Sequence, residues 1–368
     1  MVINLNRDDL LKSLSQVSGV VERRQTLPIL ANVLLNIRNS TLFITATDLE
    51  VELRTQTLVS NTDEDLDLTI PARKLLDICK ALPDGADISI TIDKQQVTLK
   101  SGRGRYTLGT LPATDFPGVE PKALADRIVL KEKDLKFVID KTHFAMAQQD
   151  VRYYLNGMLL DLSNDIFRTV ATDGHRLAMA ELAMPSGTEI STQIILPRKA
   201  IIELTRLLSE SDDDVTIEIG SNHIRLIFKN GVVFTSKLID GRFPDYQRVM
   251  PSGQTKTAVV NRLELKQALV RASILSNEKY RGIRFKINNS KIELLAHNPE
   301  QEEAEEEVEV QYEGDELTIG FNVGYLTDVL NVVSTEDIHI ALVDANSSCL
   351  LTASDSDACK YIVMPMRL

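Results

Sequence analysis

The sequence predicts an α+β protein built from three copies of one unit. Three observations carry this reading: landmarks that recur at a fixed offset, amphipathic helical stretches at matching phases, and alternating apolar segments between them. ATD at 46–48 returns as ATD at 171–173 and as AHN at 296–298, each step being 125 residues. NVLL (32–35), GMLL (157–160) and GIRF (282–285) keep the same offset. PARKLLDI (71–78) answers LPRKAIIE (196–203), with FNVGYLTDVL (321–330) in the third place. The copies close on LPATDFP, LIDGRFP and YIVMPMRL, where Pro117, Pro244 and Pro365 correspond. A fixed period over several landmarks marks a repeated structural unit. It places domains at 1–125, 126–252 and 253–368.

Within each copy the expected order is helix, strands, helix, strands. RDDLLKSLSQVSG sets Leu10, Leu14 and Val17 on one face and stops near Gly19. EKDLKFVIDKTHF and NRLELKQALVRAS hold the same place, and Asn261 with Glu264 three residues on resembles a capping box. STLFITATDLEVELRT then reads as strands. A second helix starts near a proline in PARKLLDICKAL and stops at PDG. ADISITI, QQVTLKS and RYTLGTL alternate as closing strands.

Composition narrows the function classes. The chain has 368 residues, a net charge of −12 and enough apolar residues for real cores. No apolar run reaches the length of a membrane span. MVINLNRDDLLKSL lacks the charged, apolar and cleavage regions of a secretory signal. The three cysteines, Cys79, Cys349 and Cys359, show no CxxC spacing, which points to a reducing compartment and a cytoplasmic protein. There is no GxSxG elbow, HExxH helix or glycine-rich phosphate loop.

VATDGHRLAM (170–179) sets Asp173 two residues from His175, a spacing open to two readings. One is the acid–base pair of a hydrolase. The other is a turn between strands, because Asp and Asn bond their own backbone there. A catalytic pair has no reason to be partly echoed in every copy, whereas a turn has. A non-catalytic three-repeat scaffold is a further alternative.

QDVRYYLNGM (149–158), TVATDGHRLA (169–178), DGRFPDY (240–246), ILSNEK (274–279), NPEQEEAEE (298–306) and VMPMRL (363–368) together resemble the bacterial sliding clamps, the beta subunits of DNA polymerase III. The resemblance spans the whole chain. It implies three DNA-clamp domains, each with two inner helices and outer antiparallel sheets. It also implies a head-to-tail homodimer that closes a six-domain ring around double-stranded DNA without sequence specificity. Catalytic residues, metal and cofactor are not expected. The implied partners are the replicative polymerase catalytic subunit, other replication and repair clients carrying short clamp-binding motifs, and an ATP-dependent clamp loader, with no membrane partner. If helices about 10 Å across line the hole, six leave a bore of roughly 9 Å and twelve a bore of roughly 28 Å, so only two chains admit a duplex.

The resemblance also assigns residues. DNA contact is expected from Arg24, Arg73, Arg198 and Lys199, with Gln149, Tyr153 and Tyr154 in the loop near the DNA. Adjacent tyrosines suit stacking on exposed bases, and the basic groups suit phosphates, without base readout. Lys12, Lys136, Lys141, Lys266 and Arg271 lie on the first helices, while the third copy has Val323 and Gly324 in the slots of Arg73 and Lys74. Charge is uneven: the copies carry −2, −2 and −8, and EQEEAEEEVE (300–309) holds seven glutamates. The implied dimer contact joins Lys74, Arg103, Arg105 and Leu108 to Ile274, Leu275, Gln301, Glu302, Glu305 and Glu306. Opposite charge there sets register, and strand RYTLGTL gains a partner at its edge. Finally, a peptide-binding cleft between the second and third domains is expected from Leu155, Thr172, Gly174, His175, Arg176, Leu177, Pro244, Arg248, Val249, Asn322, Tyr325, Ser348, Val363, Met364, Pro365, Met366 and Arg367. Arg176, Arg248 and Arg367 are expected at its rim. Methionines give a soft surface that adapts to several partners.

Overall fold

The computed structural model describes residues 2–21, 27–60, 65–93, 96–119, 124–163, 165–184, 190–251 and 256–367. Six α-helices stand among them: α1 (Arg7–Val17), α2 (Ala72–Ala81), α3 (Glu132–Asp140), α4 (Arg198–Leu207), α5 (Arg262–Ser273) and α6 (Val323–Val332). None is long and apolar enough to cross a membrane. Leu10, Leu14 and Val17 of α1 are fully buried, so the apolar stripe faces the core as its spacing requires. Asn6 caps α1 by accepting from the amide of Asp8, and Asn261 caps α5 by accepting from Leu263 (3.0 Å) and Glu264 (3.1 Å). One element was not expected: a strand precedes the first helix of every copy, at Val2–Asn6, Leu124–Lys131 and Lys256–Asn261.

The chain divides into two compact units, 1–133 with 202–238, and 134–201 with 239–368. In the first, α1 packs on α2. A four-stranded antiparallel sheet runs Val2–Asn6, Asp87–Asp93, Gln96–Ser101, Gly104–Gly109. An eight-stranded sheet joins strands of the first repeat to strands of the second, where Val51–Leu58 pairs with Val233–Lys237 through Leu53 opposite Phe234. In the second unit, α5 packs on α6. A nine-stranded sheet joins the second repeat to the third, where Arg176–Ala183 pairs with Cys359–Val363. A four-stranded sheet runs Glu303–Glu309, Lys291–His297, Gly282–Ile287, Leu317–Asn322. The middle repeat thus lends strands to both units.

Candidate functional site

The two ATD segments fold as one turn repeated, and the AHN segment of the third repeat closes over a longer span. In the first repeat, the Asp48 carboxylate accepts from the amides of Glu50 (2.9 Å) and Val51 (2.7 Å), while the Thr47 hydroxyl donates to Val51 O (3.0 Å). In the second, Asp173 Oδ1 accepts from His175 (2.9 Å) and Arg176 (3.1 Å), and Thr172 Oγ1 donates to Arg176 O (2.6 Å). In the third, Asn298 Oδ1 accepts from Glu302 N at 3.0 Å. Leu49, Gly174 and Gln301 take positive φ in these turns. Gly174 supplies that conformation without strain. The remaining Asp173 oxygen accepts from Arg176 Nε at 3.1 Å, so this carboxylate organises a turn.

Arg176 distinguishes the second copy. Its Nη1 donates to Asp328 and its Nη2 to Phe144 O at 2.9 Å. Its guanidinium carbon lies 5.3 Å from the Phe144 ring centre and 4.7 Å from that of Tyr325. The side chain is only 12% exposed. Arg176 is therefore an internal strut, which corrects the expectation of a rim group presenting its donors outward. His175 stacks on Tyr325 with centroids 6.4 Å apart, and His175 O accepts from Met364 N at 2.9 Å. That bond ties the C-terminal segment to the turn.

Beside the strut lies an apolar pocket of about 170 Å³. Of the residues expected in a cleft, Leu155, Thr172, Gly174, Arg176, Leu177, Pro244, Val249 and Met364 line it. Arg152, Phe243, Asp245, Tyr246 and Ile362 line it as well and were not expected. Phe243 and Tyr246 belong to DGRFPDY, and Ile362 precedes VMPMRL, so motif membership was the available signal. The floor is firm, because Leu155, Leu177, Phe243, Tyr246 and Ile362 join a buried cluster with Leu159, Val170, Met179 and Ile195. A drug-sized ligand needs roughly 300 Å³ or more; a pocket below that size suits one or two apolar side chains.

The other expected cleft residues lie outside this pocket. Asn322 caps α6, accepting from Gly324 N (2.8 Å) and Tyr325 N (3.4 Å). Ser348 Oγ donates to Val249 O at 3.5 Å. Val363 is buried, Pro365 and Met366 are half-buried, and Arg367 is exposed. Met366 N donates to Gly320 O at 2.7 Å. Arg248 is exposed and pairs with Asp245 at 2.8 Å.

The residues expected at DNA divide. Arg24 lies outside the described residues. Arg73 is exposed in the first turn of α2. Arg198 and Lys199 open α4 half-buried, and Arg198 Nη1 donates to Met146 O at 3.2 Å. Burial, with Arg176 nearby, pushes the Arg198 pKa down. Tyr153 is exposed, Tyr154 is half-buried against the apolar cluster, and their rings meet edge to face at 5.9 Å. Exposed Gln149 takes a φ of 56° in the same loop. The Asp150–Arg152 pair braces that loop at 2.8 Å, and these bonds hold the Asp150 carboxyl down at about 2.

The residues expected at a dimer contact sit on two sheet edges. Gly104–Gly109 ends its sheet and carries exposed Arg105, with exposed Arg103 in the preceding turn; Lys74 is exposed on α2. Leu108 is buried in its own sheet opposite Val97. Glu303–Glu309 ends the other sheet, with Glu305 exposed. Glu306 is paired with Arg271 through bonds of 2.7 and 2.6 Å, which lower its pKa. Gln301 is exposed, and Glu302 bonds Asn298 at 2.6 Å. Ile274 is 74% exposed and Leu275 half-buried.

Family models of the DNA polymerase III beta subunit match the chain along its length: the N-terminal domain over 1–120, the central domain over 129–245 and the C-terminal domain over 247–367. The chain belongs to this family. The beta sliding clamp of Pseudomonas aeruginosa is 52% identical over the whole of both chains, and that of Escherichia coli K12 is 46% identical with the same coverage. The crystal structure of the DNA polymerase III subunit beta from Pseudomonas aeruginosa matches with a TM-score of 0.97 at 52% identity, each chain fully covered. A second structure of that protein, bound to griselimycin, matches with the same score. The repeats therefore form three beta-clamp domains with mixed helices and antiparallel sheets, and the chain is a sliding clamp of DNA polymerase III.

Proposed function

We propose that two copies of this chain close head to tail into a six-domain ring around duplex DNA and confer processivity by tethering the replicative polymerase catalytic subunit. The domains run 1–125, 126–252 and 253–368 in this reading. The observation that carries it is the apolar pocket of the second unit, small, firmly floored and built on a turn whose partners in the other repeats lack its side chains. Such a pocket takes a few apolar anchors of a short linear motif, so the polymerase and other replication and repair clients compete for one site per chain. The griselimycin complex of the relative supports a ligand site on this fold. Two sheet edges of opposite charge, at Arg105 and at Glu305, unpaired among the described residues, support strand pairing between copies. The role is non-catalytic and needs no cofactor; opening the ring falls to an external ATP-dependent loader, and the protein works on DNA inside the cell. Phosphate contacts from Arg73, Arg198 and Lys199 are salt-sensitive, while retention is topological.

The test is retention. The protein is loaded on a nicked circular plasmid with extract and ATP, washed at high salt, and the circle is then cut once. Retention on the circle and release after linearisation is the expected result. Loss from the intact circle, with a known clamp retained in parallel, overturns the ring.

A further inference from the structure

Position 161 sits in the same strand slot as Asn36 and Lys286, each one repeat offset of 125 residues away. Those two side chains are half-exposed, and each meets a charged neighbour: Asn36 donates to Asp67 at 2.7 Å, and Lys286 faces Glu293 at 3.6 Å. Asp161 is 4% exposed. A carboxylate that deep is costly unless hydrogen-bonded. Here Oδ1 accepts from Ser163 Oγ at 3.0 Å, while Oδ2 accepts from Gln193 Nε2 at 3.0 Å and from the Tyr246 hydroxyl at 2.8 Å. The neighbouring cation is turned elsewhere, because Arg168 Nε donates to Glu181 at 2.8 Å and its Nη1 to Ser163 Oγ at 3.3 Å.

The ring of Tyr246 covers this cluster on one side and lines the pocket on the other. Phe243, Pro244, Asp245, Tyr246 and Val249 form one wall of that pocket. The wall has little structure of its own. Tyr246–Val249 is one 3₁₀ turn without a side-chain cap, and its backbone bonds are long, 3.4 Å from Arg248 N to Asp245 O and 3.3 Å from Met250 N to Gln247 O. Such turns are weak in isolation. Phe243 and Tyr246 pack into the buried cluster and Ser348 reaches Val249 O at 3.5 Å, while the Tyr246 hydroxyl adds a short bond from the wall to the Asp161 carboxylate on the sheet.

We infer that Asp161 is a positioning residue of the docking pocket: through the Tyr246 hydroxyl it holds the Phe243–Val249 wall in the shape that receives a partner's apolar side chain. This rests on the docking reading above. It explains why one repeat buries a carboxylate where the other two expose their side chains. Asp161 itself touches no partner.

The experiment uses the full-length protein with the purified replicative polymerase catalytic subunit as probe, reading affinity together with amide exchange along the chain. Asp161→Ala weakens polymerase binding by about tenfold, the factor one lost buried hydrogen bond commands. It also accelerates exchange across 243–250 while Val2–Asn6 and α1 stay protected. Tyr246→Phe, which removes one oxygen, does the same to a smaller degree. Asp161→Asn restores both readouts, since its amide oxygen still accepts from Tyr246 and Gln193. Unchanged exchange at 243–250 in Asp161→Ala overturns the inference, as does wild-type affinity. Faster exchange throughout both units also overturns it, because Asp161 then serves only folding. If the wild-type protein fails to bind polymerase, the docking reading falls, and the exchange result still reports whether Asp161 holds the wall.

Discussion

The turns at Thr47–Val51 and Thr172–Arg176 share one hydrogen-bond frame and differ in almost everything it carries. Both have a threonine hydroxyl on the same carbonyl and an aspartate capping two amides. After the aspartate, the first copy reads Leu49, Glu50, Val51, Glu52, and the second Gly174, His175, Arg176, Leu177. The frame is a property of the fold, so it recurs. The pocket belongs to the residues that do not recur: Leu177 floors it, Arg176 braces it, and the bond from Met364 N to His175 O joins the C-terminal segment to it.

The largest effect that separates the two turns is on partners. Removal of Met364–Leu368 is expected to reduce polymerase binding more than 100-fold while the dimer persists in sedimentation; surviving binding places the pocket elsewhere. The next is on stability. Arg176→Ala removes the bonds to the half-exposed Asp328 and to the Phe144 carbonyl and is expected to cost about 2 kcal/mol in denaturant unfolding. Val51→Ala, in the equivalent slot, is expected to lose about 1 kcal/mol, the small-cavity cost of a buried valine. The shared frame is sharpened by an equality: Thr47→Val and Thr172→Val are each expected to lose about 1 kcal/mol, and unequal losses would show that the frames differ.

The smallest effect is a pH slope. Glu52 stands where the second copy has Leu177, and burial raises its pKa, against the lowering pull of the Val119 amide, Arg54 and Arg225. A carboxyl raised by folding contributes stability that is present below its unfolded value near 4.3 and is lost as pH rises through the folded value. Wild type should therefore gain melting temperature relative to Glu52→Gln as pH falls from neutrality towards 4. A constant difference would refute it.

What the sequence revealed follows the range of each interaction. The stripe of Leu10, Leu14 and Val17, the Asn261 cap and the aspartate turns depend on neighbours within four residues, so spacing alone exposes them. The strand at Val2–Asn6 was also readable, since buried Ile3 and Leu5 alternate with the less buried Val2, Asn4 and Asn6, but five residues beside a helix make a weak pattern. The pairings of Arg176 with Asp328, Tyr246 with Asp161 and Arg271 with Glu306 span 152, 85 and 35 residues. No periodicity encodes them. Consequently spacing shows Arg176 as a rim group and hides its role as a strut. The fusion of the middle repeat's strands with both neighbouring sheets is likewise a tertiary fact.

The second copy of the turn, and not the first, is the one expected to receive the polymerase. Amide exchange of the full-length protein, with and without saturating polymerase catalytic subunit, tests this directly, because docking slows exchange where backbone is covered or stabilised. The expected result is slowed exchange at 172–177, 243–249 and 362–366 with none at 47–52. Equal protection at 47–52, or none at 172–177, would contradict it.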